Sequence, residues 1–412
     1  MTRQKHLGGF VIAVGLLVIA AATLTPLPLT EYRSAGTPFW CLVCGSLGSV
    51  DVILNVALFL PLGVGLERMG WRVTRIAIAC FLTSLAVESL QIMTIAGRDA
   101  SVSDLITNTS GGMLGGFIAQ HWRGLVFPSP RHAGRLFLGG MVAVLAVFLF
   151  TATLLQPDLP AGPWYGIVTP AWSGHEVFGG TVVDARLGDQ PLSGNGLPQA
   201  ADHRTALLSG EPILVRFVVG QGTLGGVAPI AALTTSDNRS LAILAQRGND
   251  VTVGVRLRAS SWRLRTPKIR LGRVIPNRPG ATVVAWGGIG SGQLYAGAVV
   301  KDRWKSRRLP LSIALGWALL LPVGWGLGPE TQALSGLWLV ALIAPLAYWA
   351  VLSQWRLALL GVGALMLSVL ALLPPACALR HAHWSEWLAA AIAIALGAAA
   401  AQHACKRTGE WK

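Results

Sequence analysis

Nine apolar stretches, near residues 8–27, 50–67, 73–94, 104–121, 136–155, 309–327, 333–352, 356–374 and 386–404, are each long enough to cross a bilayer as a helix. Lipid offers no partner for a backbone N–H or C=O, so stretches of this kind fold as helices that satisfy themselves. The composition agrees: 53% of residues are hydrophobic and 12% charged, where soluble domains carry about a quarter charged residues. The chain reads as an integral membrane protein. The first stretch follows a short basic head, Arg3 and Lys5, and runs into Pro26 and Pro28. It is expected to be an uncleaved first span, with a cleaved signal as the alternative.

Between the two apolar blocks the pattern changes. Short β-branched or alternating runs, Thr181–Ala185, Ile213–Val219, Ser240–Ala245, Val251–Leu257 and Ala281–Trp286, are separated by turns such as Asp237-Asn238 and Gly248-Asn249-Asp250. The expected fold is therefore an α-helical polytopic membrane protein of about nine spans with an inserted all-β, jelly-roll-like sandwich. Residues 1–155 would hold about five helices, 156–305 the sandwich and 306–412 about four helices.

The formal charge of +15 is spread over short loops and the central domain, in no basic helix or finger motif, so nucleic acid is not an expected partner. Membrane topology and anionic lipid or polymer account for it. Arg3 and Lys5, then Arg68, Arg72 and Arg75, then Arg123, Arg131 and Arg135 fall on one side of the first block, which should be cytoplasmic. The opposite loops hold little more than Arg33 and Arg98, and five crossings put the β-domain outside the cytoplasm. The second block argues the other way, because Lys301, Arg303, Lys305, Arg307 and Arg308 precede its first stretch while Lys406 and Arg407 follow its last. A re-entrant stretch is the alternative.

Within the first block, polar side chains recur at helical spacing: Asp51 and Asn55, then Ser84, Glu88 and Gln91, then Asp104 and Asn108, with Arg98 in the loop between the last two groups. A charge at mid-membrane costs about 2.5–3.5 kcal/mol on the lenient scale, so such residues are seldom there without a partner or a task. Asp51, Asn55, Glu88, Gln91, Arg98, Asp104 and Asn108 are the candidate site, with Glu88 and Asp104 expected to pair with Arg98. The plainer reading is a polar network joining three helices. Pro61 and Gly63 suggest a kink or break in the second helix. The overlapping Gly111-x-x-x-Gly115 and Gly112-x-x-x-Gly116 suggest close helix packing inside the bundle.

Asp51, Asn55, Phe59-x-Pro61-Leu62-Gly63, Ser84-x-x-x-Glu88-x-x-Gln91, Arg98 and Asp104-x-x-x-Asn108-x-x-Gly111-x-x-x-Gly115 together resemble the VanZ-like family of small bacterial membrane proteins over about residues 9–122. The resemblance implies a role at the cell envelope, in the bacterial inner membrane. The family's founder is associated with low-level resistance to the glycopeptide teicoplanin, but no reaction, substrate or cofactor comes with the family. Ser209–Arg258 resembles the laminin-G or concanavalin-A-like sandwich in strand order and length. That likeness implies a carbohydrate or calcium site, for which Asp184, Asp189, Asp237, Asn238, Asn249 and Asp250 are the oxygen ligands on offer; no fixed-spacing calcium loop is visible, and no cofactor is expected. The partners expected are membrane lipids and an envelope glycan or lipid-linked wall precursor.

Cys41-x-x-Cys44 falls in the first outer loop, where a structural disulfide is permitted. Redox and zinc roles are the alternatives. Cys80, Cys377 and Cys405 read as small buried hydrophobes, and His381 and His383 beside Trp384 as membrane-interface residues. Arg256, Arg258, Arg263, Arg265, Lys268, Arg270 and Arg273 alternate with apolar residues, which suggests the charged face of a strand. Two functions remain open: a non-enzymatic envelope protein binding a polar head group, or an intramembrane enzyme using Glu88 and Asp104. A transporter is disfavoured by the absence of an evident inverted repeat.

Overall fold

A computed structural model describes the chain except residues 1, 26–39, 41, 44–46, 95–100, 195, 198–199, 221, 224, 322–325, 329 and 409–412. The chain forms two compact units, one of residues 1–132 with 262–264, the other of 133–261 with 265–412.

The first unit is a helical bundle of α1 (Thr2–Thr23), α2 (Gly48–Arg68), α3 (Val73–Thr94) and α4 (Val102–Val126). Its apolar core comprises Ile19, Phe59, Leu62, Leu66, Ile76, Cys80 and Val87. The α2 helix passes through Pro61 unbroken, so the expected break does not occur. The glycines of α4 divide their work between two neighbours. A Cβ on Gly111 or Gly115 would run into the backbone carbonyls of Val56 and Leu60 on α2, while one on Gly112 or Gly116 would meet Cys80 and Ile76 on α3. One helix thus packs closely on two sides, because the two glycine rows lie one residue, or about 100°, apart on its surface.

In the second unit, α5 (Pro130–Leu154), α7 (Thr331–Leu352) and α8 (Ala358–Leu367) pack through small residues and tryptophans. The Phe137 and Trp355 rings meet edge to face at 6.2 Å. The α8 helix continues through one π-turn, Ser368–Leu372, into α9 (Leu373–Ala376). The turn precedes Pro374 and Pro375, neither of which can supply the N–H that a regular helix needs. The last helix, α10 (Trp384–Thr408), lies against α7. The contact is close at Gly397, where a Cβ would strike the carbonyl of Ala344.

Among the described residues, seven helices are long and apolar enough to cross a membrane. Two of the nine expected stretches account for the difference. Residues 309–327 do not form a spanning helix: a strand ends at Pro310 and a 3-10 helix, Ile313–Leu319, follows. All seven residues of that 3-10 helix are buried, and Trp317 Nε1 donates to Ser335 Oγ at 3.1 Å. The stretch is apolar because protein covers it. The other case is α4, a 25-residue helix that falls outside the seven because Asp104, Asn108, its hydroxyls and its glycines lower its hydropathy.

The β-region is a sandwich of two six-stranded antiparallel sheets. One is ordered β4-β1-β6-β7-β8-β9, from Gly196–Leu197, Trp164–Val168, Ala228–Thr235, Ser240–Arg247, Asp250–Val255 and Lys268–Leu271. The other is ordered β12-β11-β10-β5-β2-β3, from Arg303–Pro310, Gln293–Val300, Thr282–Gly290, Ile213–Val218, Thr181–Leu187 and Gln190–Pro191. A short helix, α6 (Ala200–Ser209), leads into β5. The sheets face each other, with Gly287 of β10 pressed against Val253 of β8. Fully buried Trp164, Phe217 and Ile230 fill the interior.

The basic run does not form one strand face. Residues Arg258–Trp262 form a 3-10 helix and only Lys268 and Arg270 lie in a strand. Arg256 binds Asp158 at 3.0 Å, and Arg270 lies 3.9 Å from Asp250 and 3.8 Å from Glu330. The residues offered for calcium are dispersed. Asp184 pairs with Arg186, Asp237 with Arg239, and Asp250 accepts the backbone N–H of Arg273.

Lys268 lays its aliphatic stem on Gly254 of the neighbouring strand. The whole residue is partly exposed, and desolvation, with the charge of Arg265 adding to it, pushes its ammonium from 10.5 down to about 7. The folded state therefore holds this proton less tightly than the unfolded chain does. Below about pH 7 the penalty is fully present; as pH rises from about 7 towards 10.5 the unfolded state loses its extra proton, and stability should increase. Denaturant midpoints of the sandwich, followed by near-UV circular dichroism across that window, should rise with pH. Lys268→Met should flatten the slope.

Candidate functional site

The polar residues of the bundle assemble at one end of it, where α4 begins. Ser101 is the N-cap of α4, and its Oγ accepts the backbone N–H of Asp104 at 3.2 Å. In the usual capping box the third helical residue reaches back to the N–H of the cap. Here Glu88 of α3 takes that place: the Ser101 N–H donates to Glu88 Oε2 at 3.2 Å. A cap completed from a neighbouring helix leaves the Asp104 carboxylate available for another partner. It accepts from Asn55 Nδ2 of α2 at 2.6 Å.

The network extends one turn deeper. Asn108 Nδ2 donates to Ser84 Oγ at 2.9 Å, and Ser84 Oγ in turn donates to the Asp104 backbone carbonyl at 3.4 Å. Ser84, Glu88 and Asn108 are buried, at 0%, 5% and 3% exposure. The Asp104 carboxyl also neighbours those of Glu88 and Asp51. Asn108 Oδ1 is buried with no hydrogen-bond partner among the described residues. A buried amide oxygen left in that state costs about 1–3 kcal/mol.

The expected site residues thus fall into three groups. Asn55, Glu88, Asp104 and Asn108 come together with Ser84 and Ser101, and Asp51 stands beside them in the first turn of α2. Gln91 is held elsewhere, donating to the Thr23 carbonyl at the end of α1 at 2.8 Å. Arg98, Cys41 and Cys44 lie outside the described residues. Asp104 stands in the first turn of α4, at the opening of the apolar stretch that begins with it.

Sequence reasoning passed over Ser101, although Ser101-x-x-Asp104 ahead of an apolar run is a start signal for a helix. It also passed over Glu386 of the second unit. This buried carboxylate accepts from Ser312 Oγ at 2.6 Å and from the His383 N–H at 3.2 Å, capping α10 and tying it to the strand-to-helix connection. Among the described residues no three His, Cys, Asp or Glu side chains are placed to hold a metal ion.

No curated protein matches the chain, and no solved structure does, so the sandwich has no demonstrated laminin-G or concanavalin-A-like kinship. The VanZ/LLP1 family model matches residues 13–123. That range contains the four packing glycines of α4, Gly111, Gly112, Gly115 and Gly116, and the whole Asn55–Glu88–Asp104–Asn108 cluster, so residues 13–123 of this membrane protein form a VanZ-like domain.

Proposed function

We propose that the protein is a bacterial inner-membrane envelope protein whose VanZ-like bundle binds the head group of a lipid-linked wall precursor or a glycopeptide without catalysing a reaction on it. The observation that carries this reading is a gathering of acceptor groups among the described residues. The Asp51, Glu88 and Asp104 carboxyls gather at one bundle end with Asn108 Oδ1, which has no hydrogen-bond partner among the described residues. Such a set suits a ligand rich in donors, such as sugar hydroxyls, amide N–H groups or an ammonium.

The charge distribution supports a topology in which this end faces outward. Lys301, Arg303, Lys305, Arg307 and Arg308 belong to strand β12 and its lead-in turn, so they flank no membrane span and their conflict with the positive-inside rule disappears. The packing of α4 along α2 throughout its glycine face supports counting it as a crossing, and five crossings support an outer β-domain. Three spans then bring Arg356 and the final Lys406 inside. The outer domain would hold glycan or anionic wall polymer, a reading supported by Trp304, which is 72% exposed on edge strand β12 between Arg303 and Lys305.

The test separates binding from helix joining. Asp104→Asn, Glu88→Gln and Asn108→Ala should each weaken precursor or glycopeptide binding by about tenfold, the worth of one lost hydrogen bond to a charged or buried group. Membrane abundance should stay near that of the unaltered protein. Function falling only in proportion to abundance would leave the cluster as helix glue. The adjacency of Glu88 and Asp104 favours one second reading, an acid–base pair acting on a lipid-linked substrate; product formation abolished by Glu88→Gln with binding intact would select it.

A further inference from the structure

At the opposite end of the same bundle a cleft of about 360 Å³ opens between the start of α1 and the ends of α2 and α4. Asp104 and Arg123 are 19 positions apart on α4, which at 1.5 Å per residue separates the two ends by about 28 Å. The chemistry there is reversed. Lys5, Arg68 and Arg123 supply cationic donors, Gln120 an amide, and Glu67 is the one carboxylate of the lining.

Arg68 is not a side chain extended into solvent. Its side chain is 19% exposed, and its guanidinium lies over the Trp122 ring, 5.0 Å from the centroid, a cation–π contact that helps hold it in place. Its Nε is 3.8 Å from Glu67, too far for a hydrogen bond. Lys5 and Arg123 have no ion-pair partner among the described residues. Three cations around a concave site exceed what one loose carboxylate neutralises. Met69 of the lining is 37% exposed, and Trp71, two residues further along the chain, is 42% exposed, so apolar surface adjoins the cations.

We infer that this cleft binds the phosphate of an anionic lipid head group, with Arg68 and Arg123 clamping the phosphate oxygens, Trp122 holding Arg68 in place and Lys5 closing the site. A planar guanidinium matches two phosphate oxygens at once. The adjoining apolar surface favours a phosphate carried on acyl chains over a free one. The inference is independent of what the Asp104 cluster binds, because the two share no residue.

The full-length protein in detergent micelles should bind dioctanoyl phosphatidylglycerol at least about tenfold more tightly than dioctanoyl phosphatidylcholine, measured by native mass spectrometry. Arg68→Gln and Arg123→Gln should each weaken that binding by about tenfold. Arg123→Lys should weaken it less, and Arg75→Gln, exposed on α3 outside the lining, should leave it unchanged. Arg123 is exposed at the end of α4, so its variants keep the test valid even where Arg68→Gln fails to fold. Equal binding of the two lipids, or an Arg75→Gln loss equal to that of Arg123→Gln, overturns the site. Full displacement of the lipid by inorganic phosphate overturns the lipid assignment in favour of a free anion.

Discussion

Valine at Gly63 is expected to remove the folded protein from the membrane. A Cβ at this position of α2 would strike the carbonyl oxygen of Gly112 on α4, with that residue's C and Cα directly behind it. Backbone cannot rotate away as a side-chain tip can, so the helices must separate. Overpacking a well-filled interior costs about 1–3 kcal/mol where side chains yield, and the cost at Gly63 should lie at or above about 3 kcal/mol. Gly116→Ala is the control, because its Cβ would meet the movable Cδ1 of Ile76 at 2.8 Å. Thermal unfolding in detergent and the amount of membrane-inserted protein should both collapse for Gly63→Val and fall slightly for Gly116→Ala. Equal behaviour of the two would mean that the α2–α4 approach is not what holds the bundle together.

Trp164→Ala should have the second large effect, on the sandwich. Trp164 is fully buried in β1, between β4 and β6, and its indole N–H donates to the Pro160 carbonyl at 3.1 Å. Truncation removes the ring, leaves a cavity and strands that carbonyl, a combination worth about 3–5 kcal/mol. Trp164→Phe should cost less because most of the volume stays. On the proposed outer placement of the domain, protease added to intact spheroplasts should cut the alanine variant within residues 156–305 far faster than the unaltered protein. Protection of both chains would contradict the outer placement; rapid cutting of both would contradict the stabilising role.

Five strands were legible because alternation and β-branching over Thr181–Leu187, Ile213–Val218, Ser240–Arg247, Asp250–Val255 and Thr282–Gly290 are local properties. Strand β12 was read instead as a basic flank to a membrane span. Its residues Arg303–Arg307 are largely exposed, so no buried face marks it. The stretch after it failed for the converse reason. Ile313–Leu319 is as apolar as a span, and hydropathy cannot separate a segment covered by protein from one covered by lipid.

The candidate site was half legible. Spacings of four put Glu88 on the face of Ser84 and Asp104 on the face of Asn108, and the order of those residues carried the family resemblance that the VanZ/LLP1 match bears out over residues 13–123. The pairings were not legible. That Glu88 completes the cap of Ser101, and so leaves Asp104 to Asn55, depends on three helices meeting at one end.

From the sequence alone came a membrane protein, the helices of its N-terminal block, a β-rich insert and the VanZ-like motif, because hydropathy, periodicity and turn chemistry act over a few residues. Tertiary structure decided which apolar stretch is core and which helix face each glycine row of α4 serves. It also decided that, among the described residues, carboxyls collect at one end of the bundle and cations at the other. Those are properties of the distances between segments remote in the chain, set by close packing of backbones that no local pattern encodes.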